Sequence, residues 1–516
     1  MRRSRERMSG MSSLLLGGEM AASAPVTAVP APVAQPHPAL AADDTTAHCE
    51  IAIIGGGVGG LHTALRLAER FGPRLCLFEQ DGCLGGRVSD IPASEEQAAG
   101  PFVQLGARRI MEGQSVLVQL AEELGIPLQK PEMLEELGFT RGMYATNNDE
   151  FIRVFPGLDV DRSRGGYEVQ LYEKLLRGPE RAHVERYPNL RAYAEKVIGA
   201  EGCAFLHGTY RFRADHEYDL SAKAYLDYLD EENDAGAICP SGHCQSLYPV
   251  GGMSAYTRGM EQRVRALGVQ IHLEEAVQSI EKSPAGYLLK TPRRALTAGT
   301  LVLALPPVAL DRIQGRIAES IRAQAEFQAL VGVRVTTITQ WYPEPWWRGI
   351  ITPNGRHVWR AWTTGHCINS VEIPLEEYAS TQNAIRVVYN DQSECADLWA
   401  RLARGPLEAL EKEVAVGLNH LFANNGVTRP VRIGTPSRTV FREWPDAWYY
   451  VRAGNHFSNR DIFHWAVQPL AGEDIALVSD GYNPQRSGWA DAAYKSSIHY
   501  LNQRFNMGLP GLEARR

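Results

Sequence analysis

At 516 residues the chain is too long for one simple hydrophobic core, and two or more domains are expected. Hydrophobic residues make up 44% and charged residues 22%, as in soluble globular proteins, and a net charge of -7 gives no electrostatic case for nucleic acid. No uninterrupted apolar run approaches the ~18 residues of a membrane-spanning helix, and eight cysteines in so long a chain do not read as a disulfide framework.

The first 48 residues differ from the rest. Arg2, Arg3 and Arg5 precede a short apolar patch, Leu14-Leu15-Leu16, broken by Glu19, and an Ala/Pro-rich tract runs from Ala21 to Ala42. Repeated proline among small residues favours extended, unpacked chain. A twin-arginine export signal, a disordered tail and a misplaced start codon all fit, so a cytoplasmic and an exported protein are both open.

The apolar run Ile51-Ala52-Ile53-Ile54 reads as a buried parallel strand, and Leu61, Ala64, Leu65 and Ala68 then recur at helical spacing. Between them Gly55, Gly57 and Gly60 fit G-x-G-x-x-G: a tight turn, close backbone approach to a pyrophosphate, and close packing of helix on strand. The helix N-terminus would offer free N–H groups to the phosphates. Glu79 closes the next strand, 19 residues after Gly60, where a carboxylate can accept both hydroxyls of a ribose. A second cluster, Leu84-Gly85-Gly86-Arg87, would run a backbone turn under the phosphates, with Arg87 as a fixed cation.

Further on, Leu171–Leu176 and Ala222–Leu229 have helical spacing within a polar region of about residues 146–243. Cys239-Pro240-Ser241-Gly242-His243-Cys244 lacks a second pair at finger-like spacing, so no metal is expected there. Val269–Leu273 and Val277–Ile280 read as strands, as do Arg334–Trp341 and Ala384–Tyr389 in a region rich in Trp, Val and Thr. Trp346, Trp347, Trp359 and Trp362 hint at an aromatic-rich pocket.

These pieces resemble the flavin-dependent amine oxidases, most closely the FAD-dependent L-amino-acid oxidases. The resemblance is carried by Ile53–Leu61, Leu84–Arg87, Tyr248–Met253, Leu301–Pro307 and Ser487–Ala493, in that order along the chain. It implies an α/β (mixed α+β) fold: a discontinuous Rossmann-like FAD-binding domain, a mixed-sheet substrate domain and a helical insertion. The expected division is 49–108, 245–318 and 470–505 for FAD; 109–145 and 319–469 for substrate; 146–244 for the insertion; and 1–48 as tail or signal. The insertion would cover an access funnel. FAD would be non-covalent, since no cysteine lies beyond Cys395 in the C-terminal segment where some amine oxidases attach it.

The resemblance also implies residue roles. Gly106, Ala107 and Arg108 would lie beside the cofactor, with Arg108 turned to FAD or to the domain interface, and backbone groups near Val277 would meet the adenine. Arg109 ends a segment similar to the family's L-G-x-x-R, and in L-amino-acid oxidases that arginine grips the substrate carboxylate. A guanidinium suits this, because its fork matches a carboxylate with two parallel hydrogen bonds. The Gly488 carbonyl would receive the substrate amine, with Trp489 and Ala490 at the flavin face. Where the family usually has a glutamate for the ribityl chain the position is Gly481, with Asp480 one place away. Where many members have a lysine that holds a water near flavin N5 the position is Thr337, and Arg334 could replace it only with a gap.

The implied reaction is oxidation of an L-amino acid by O2 to a 2-oxo acid, ammonia and hydrogen peroxide, by hydride transfer to flavin N5 with no catalytic side chain as strong base. His62, His207 and His243 read equally well as structural residues. The alternatives are a flavin amino-acid 2-monooxygenase that gives an amide, a monoamine or polyamine oxidase, and a non-catalytic flavin protein. The partners expected are a small amino acid and O2, with no nucleic acid, no membrane span and a homodimer by resemblance.

Overall fold

In the computed structural model the structure describes residues 47–92, 102–130, 135–209, 219–237, 246–374, 383–484 and 488–511. The expectations for residues 1–46, for Cys239–Cys244 (His243 among them) and for Ser487 lie outside the described residues. The strand Ala47–Ile54 is the spine of a seven-stranded sheet. Leu75–Phe78 pairs parallel on one side of it, with Gln270–His272 beyond, and Ala295–Leu303 pairs parallel on the other. Ile475–Leu477 adds a further parallel strand, and Gly286–Lys290 with Ser279–Ser283 completes the sheet antiparallel. Three separated stretches of chain thus meet in one sheet. The helix Val58–Phe71 buries Leu61, Ala64, Leu65 and Ala68 against it, as their spacing predicts.

The second seven-stranded sheet runs in the order Arg438–Val451, Leu330–Trp341, Ala384–Asn390, Ser370–Glu372, Val358–Thr363, Glu135–Thr140 and Met143–Ala145. Its two faces are unlike. Leu137, Ile338, Ala361, Val371 and Val388 are fully buried in one apolar cluster with residues of the helices Ser393–Ala403 and Leu407–Phe422. The opposite face carries a polar row. Thr339 stands beside Arg386, Arg386 beside Glu372, Glu372 beside Arg360 and Arg360 beside Glu136, each on its own strand. The next row is Arg442, Thr337, Tyr389, Ser370 and Trp362. Because side chains alternate along a strand, these rows share the face turned away from the two helices.

The region between the two sheets' early strands is helical, with Tyr167–Arg177, Leu190–Thr209 and Ala222–Ala237 packed in a third cluster. Among the described residues no helix is long and apolar enough to cross a membrane.

The reading of the cysteines needs correction. Cys49 is bonded to Cys76, joining two neighbouring strands of the first sheet, and Cys367 is bonded to Cys395, tying the turn before Ser370–Glu372 to the helix Ser393–Ala403. Both pairs are made by strands and helices that meet only in the folded chain, so cysteine number and spacing along the sequence carried no sign of them. Cys83 and Cys203 are free.

Candidate active site

The glycines at the first strand's end do three different things. Gly55 has φ +106°, and a Cβ there would lie 2.3 Å from the Ala304 carbonyl oxygen. A Cβ on Gly60 would lie 2.0 Å from the Gly55 carbonyl oxygen, so only glycine lets the helix sit this close to the strand. Gly57 differs: a Cβ there would meet nothing within 4 Å. The open space lies at the N-terminus of Val58–Phe71, which has no side-chain cap and no acid in its first turn. Free N–H groups and positive dipole therefore face it unneutralised. Gly86, with φ +59°, brings its own would-be Cβ to 3.3 Å from the Gly57 Cα, and Gly85 N donates to Gly56 O at 2.9 Å. Two glycine turns thus line one anion-sized cradle.

Glu79 is buried at the edge of this cradle. Its Oε2 accepts from Gly56 N at 2.8 Å and its Oε1 from Asp81 N at 3.0 Å, so each oxygen keeps acceptor capacity for a hydroxyl. Burial raises its carboxyl, and the backbone N–H bonds from Asp81 and Gly56 pull the other way. Val277 is buried in the extended stretch between Gln270–His272 and Ser279–Ser283, just outside the strand expected for it. Among the described residues neither of its backbone groups has a hydrogen-bond partner, as an edge awaiting an adenine would require.

The segment that carries Arg109 is pinned from both sides. Leu105 N donates to Ser89 O at 2.9 Å and Ala107 N to Arg87 O at 3.1 Å. From the second sheet, Arg386 Nη2 donates to Gln104 O at 2.7 Å and Gly106 O at 3.1 Å. Gly106 must be glycine because a Cβ would lie 1.9 Å from the Arg87 carbonyl oxygen. Its need for glycine, and the spent N–H of Ala107, are therefore contacts within the protein beside the cradle. Arg108 Nη1 donates to Glu372 Oε2 at 2.6 Å, and Arg386 Nη1 reaches the same oxygen at 2.9 Å. Of the two positions expected for Arg108, FAD or the domain interface, this contact is the second: it ties the loop to the second sheet.

Arg360 and Arg109 stand at 3.6 and 3.9 Å from Glu372 Oε1. Burial pushes the Glu372 carboxyl up, but Arg108, Arg386, Arg360 and Arg109 outweigh it and hold the group well below the ordinary carboxylate range. Arg109 makes no hydrogen bond among the described residues, and its buried Nε is unpaired. Its side chain is 17% exposed, with the guanidinium 6.0 Å from the Trp359 ring centre and 5.9 Å from that of Trp489. Trp489 immediately precedes the helix Ala490–Phe505 and is half-buried, so it is no core tryptophan. Gly488, at φ +89°, lies against the Trp448 side chain. The structure therefore brings Arg109 and Trp489 together although 380 residues separate them, with Gly488 next to Trp489 in the chain.

Two further expected site residues pair with each other. Arg87 Nη1 donates to Asp480 Oδ2 at 2.9 Å and to Ala447 O at 2.7 Å, and its Nη2 also meets Asp480, so the cation expected beside the phosphates shares its charge with an acid. Asp480 is buried and also bonded to Ser479 at 3.0 Å. Each is the other's counter-ion, as a buried charge requires. Arg334 cannot take the place of Thr337, because it pairs with Asp397 at 2.7 Å and Glu443 at 3.1 Å.

A family model described as flavin containing amine oxidoreductase matches residues 58–476. The chain belongs to this family. Aplysianin-A from Aplysia kurodai is 22% identical over 88% of this chain and 90% of its own. The cyclohexylamine oxidase of Brevibacterium oxydans superposes with a TM-score of 0.64 at 18% identity, covering 88% of this chain and 99% of that one. A cofactor-redesign variant of putrescine oxidase gives 0.61 at 15% identity, covering 90% and 100%. This flavin amine oxidoreductase therefore has the Rossmann-like flavin fold and uses a flavin. The residues present fit such a group: an open Gly57 cradle, an uncapped helix N-terminus, a buried Glu79 with spare acceptor capacity and an unpaired Val277 edge.

Sequence reasoning missed Glu372, Arg386 and Trp444. A signal was there for one of them: Arg386 interrupts the apolar strand Ala384–Asn390, and a charge inside a buried strand demands a partner. Of the four tryptophans singled out, only Trp359 faces Arg109. Trp346 and Trp347 pack with Tyr342 under Leu407–Phe422, and Trp362 is buried against Phe151. His62 is structural: burial, then Arg66, lowers it to about 3, and it bonds Ser497 at 2.9 Å.

Proposed function

We propose that this flavin amine oxidoreductase is a FAD-dependent L-amino-acid oxidase that releases a 2-oxo acid, ammonia and hydrogen peroxide. The observation that carries the reading is Arg109: a guanidinium with a buried, unpaired Nε, beside Trp489, whose nearest carboxylate is already held by Arg108 and Arg386. A guanidinium that stands 3.9 Å from a carboxylate already shared with three other arginines favours an anionic substrate group and repels a bare ammonium. An amine without a carboxylate would leave it uncompensated.

Arg109 takes the substrate carboxylate and the Gly488 carbonyl accepts from the amine. Trp359 and Trp489 wall the side chain and exclude water. Two fixed ends and one wall decide which face of the α-carbon is presented, and so select one enantiomer; this positioning is where much of the rate comes from. Bound FAD supplies the two-electron acceptor, which O2 restores with release of peroxide. The absence of cysteine beyond Cys395 supports non-covalent attachment. The same reading assigns the first sheet, from residues 49–108, 245–318 and 470–505, to the cofactor, the second sheet to the substrate, and the helical segment 146–244 to the cover.

The test is anaerobic mixing with paired L- and D-amino acids, followed by product analysis in air. Bleaching by L-isomers alone, with 2-oxo acid and peroxide, is expected. An amide with carbon dioxide would make the protein a monooxygenase, and turnover only of amines lacking a carboxylate would overturn the reading.

A further inference from the structure

Arg87 shares its charge with Asp480, so among the described residues the glycine cradle has a helix N-terminus and a partly neutralised cation of its own. A dinucleotide brings a doubly charged diphosphate to that cradle, so a counter-charge should stand near it. We propose that Arg442, on the strand Arg438–Val451 of the second sheet, is the side-chain cation that meets this diphosphate. The inference rests on the dinucleotide reading of the cradle and is independent of the Arg109 clamp.

Three observations carry it. The Arg442 guanidinium lies 4.5 Å over the Trp444 ring, and Trp444 stands 3.4 Å from where a Cβ on Gly106 would be. Gly106 in turn sits on the Arg87 carbonyl, directly after the Gly85-Gly86 turn, so Arg442 is on the cradle's side of the second sheet. It is opposite Thr337, on the polar face, whereas Arg334 is held outside by Asp397 and Glu443. Finally, among the described residues Arg442 makes no hydrogen bond or ion pair, and its Nε is buried and unpaired.

The electrostatics agree. Burial lowers the Arg442 guanidinium from its ordinary value, and Asp81 and Cys83, on the loop between Glu79 and Gly85, offset this only in part. Arg87 and Arg108 are buried as well, yet Asp480 and Glu372 raise them. A half-buried arginine with no counter-ion is costly unless an anion arrives. Arg438 offers an internal comparison: it lies on the same strand and stacks on Trp341 at 4.6 Å, but beside Ser437 and Trp341 instead of the cradle loop.

The experiment is titration of the full-length protein, stripped of cofactor, with FAD, ADP and adenosine, following flavin fluorescence and heat. Arg442→Leu is expected to weaken FAD and ADP by a similar factor, roughly 10- to 100-fold, the size of one charge-assisted contact. Adenosine, which lacks phosphate, should bind the variant as it binds the parent. Arg442→Lys should recover part of the loss, and Arg438→Leu should change nothing. A second substitution, Arg442→Gln, keeps a polar side chain should leucine impair folding, which circular dichroism reads. Unchanged FAD and ADP affinity in Arg442→Leu or Arg442→Gln overturns the assignment. If the parent binds FAD but loses adenosine equally with ADP on substitution, Arg442 acts on the nucleoside or the fold and the assignment also falls. If the parent binds neither FAD nor ADP, the cradle reading itself fails and takes Arg442 with it.

Discussion

The two seven-stranded sheets solve different problems. The first is apolar on both faces: Ile51, Ile53 and Leu77 pack into one cluster, Ala52, Ile54 and Phe78 into another. Its chemistry is left to backbone at the strand ends, where glycines open the Gly57 cradle. The second sheet is apolar on one face only, and on the other it lines up Arg386, Glu372 and Arg360 across three strands. The backbone site depends on close approach at Gly55 and Gly60 and on open space at Gly57, whereas side-chain sites depend on charges being matched.

That contrast can be broken, beginning with its largest expected effect. Gly60→Ala places a Cβ 2.0 Å from backbone oxygen and should abolish the folded protein, read as loss of soluble, flavin-coloured material. Gly57→Ala meets open space, so it should fold normally yet bind FAD more weakly, by about tenfold in titration. Equal behaviour of the two variants would mean that the glycines share one role. In the second sheet, Glu372→Gln leaves the surrounding arginines without their shared counter-ion and should cost about 3–5 kcal/mol in urea unfolding. A loss under ~0.5 kcal/mol would show the row to be peripheral.

Acid should act with a definite sign. Glu372, held below its ordinary 4.5, contributes stability that is present above that value and lost as pH falls through its depressed one. His62, lowered from 6.5 to about 3, lets the unfolded chain bind the extra proton between those values, so stability falls from pH 6.5 downward. Urea midpoints at pH 7.5, 5.5 and 4 should decline in that order, and His62→Asn should flatten the upper step. The smallest effect expected is Trp359→Phe, a severalfold rise in KM, against none for Trp346→Phe; equal effects would place the pocket wall wrongly.

How much of this was legible follows the same division. Gly55, Gly57, Gly60 and Glu79 could be read because a turn, a close approach and a strand-end acid have fixed spacing over some 25 residues. Arg109 was reachable by resemblance. Glu372 and Arg442, and the partner that Arg386 signals, were not, because cross-strand neighbours are set by sheet order and register, which local pattern does not encode. The same limit hid the partners of Arg87 and Arg108, Asp480 and Glu372, which lie 393 and 264 residues away in sequence. The disulfides Cys49–Cys76 and Cys367–Cys395 were missed for the same reason.

The central claim is that Arg109 anchors an acid group on the substrate. It is tested most directly by comparing flavin reduction by L-phenylalanine and by phenethylamine, which differ only in the carboxylate, in the parent protein and in Arg109→Leu under anaerobic mixing. The parent should favour the amino acid, and the variant, still carrying FAD, should lose that preference by roughly 30-fold or more, the cost of one buried charge pair. A variant that reduces its flavin with L-phenylalanine as readily as the parent would contradict the account.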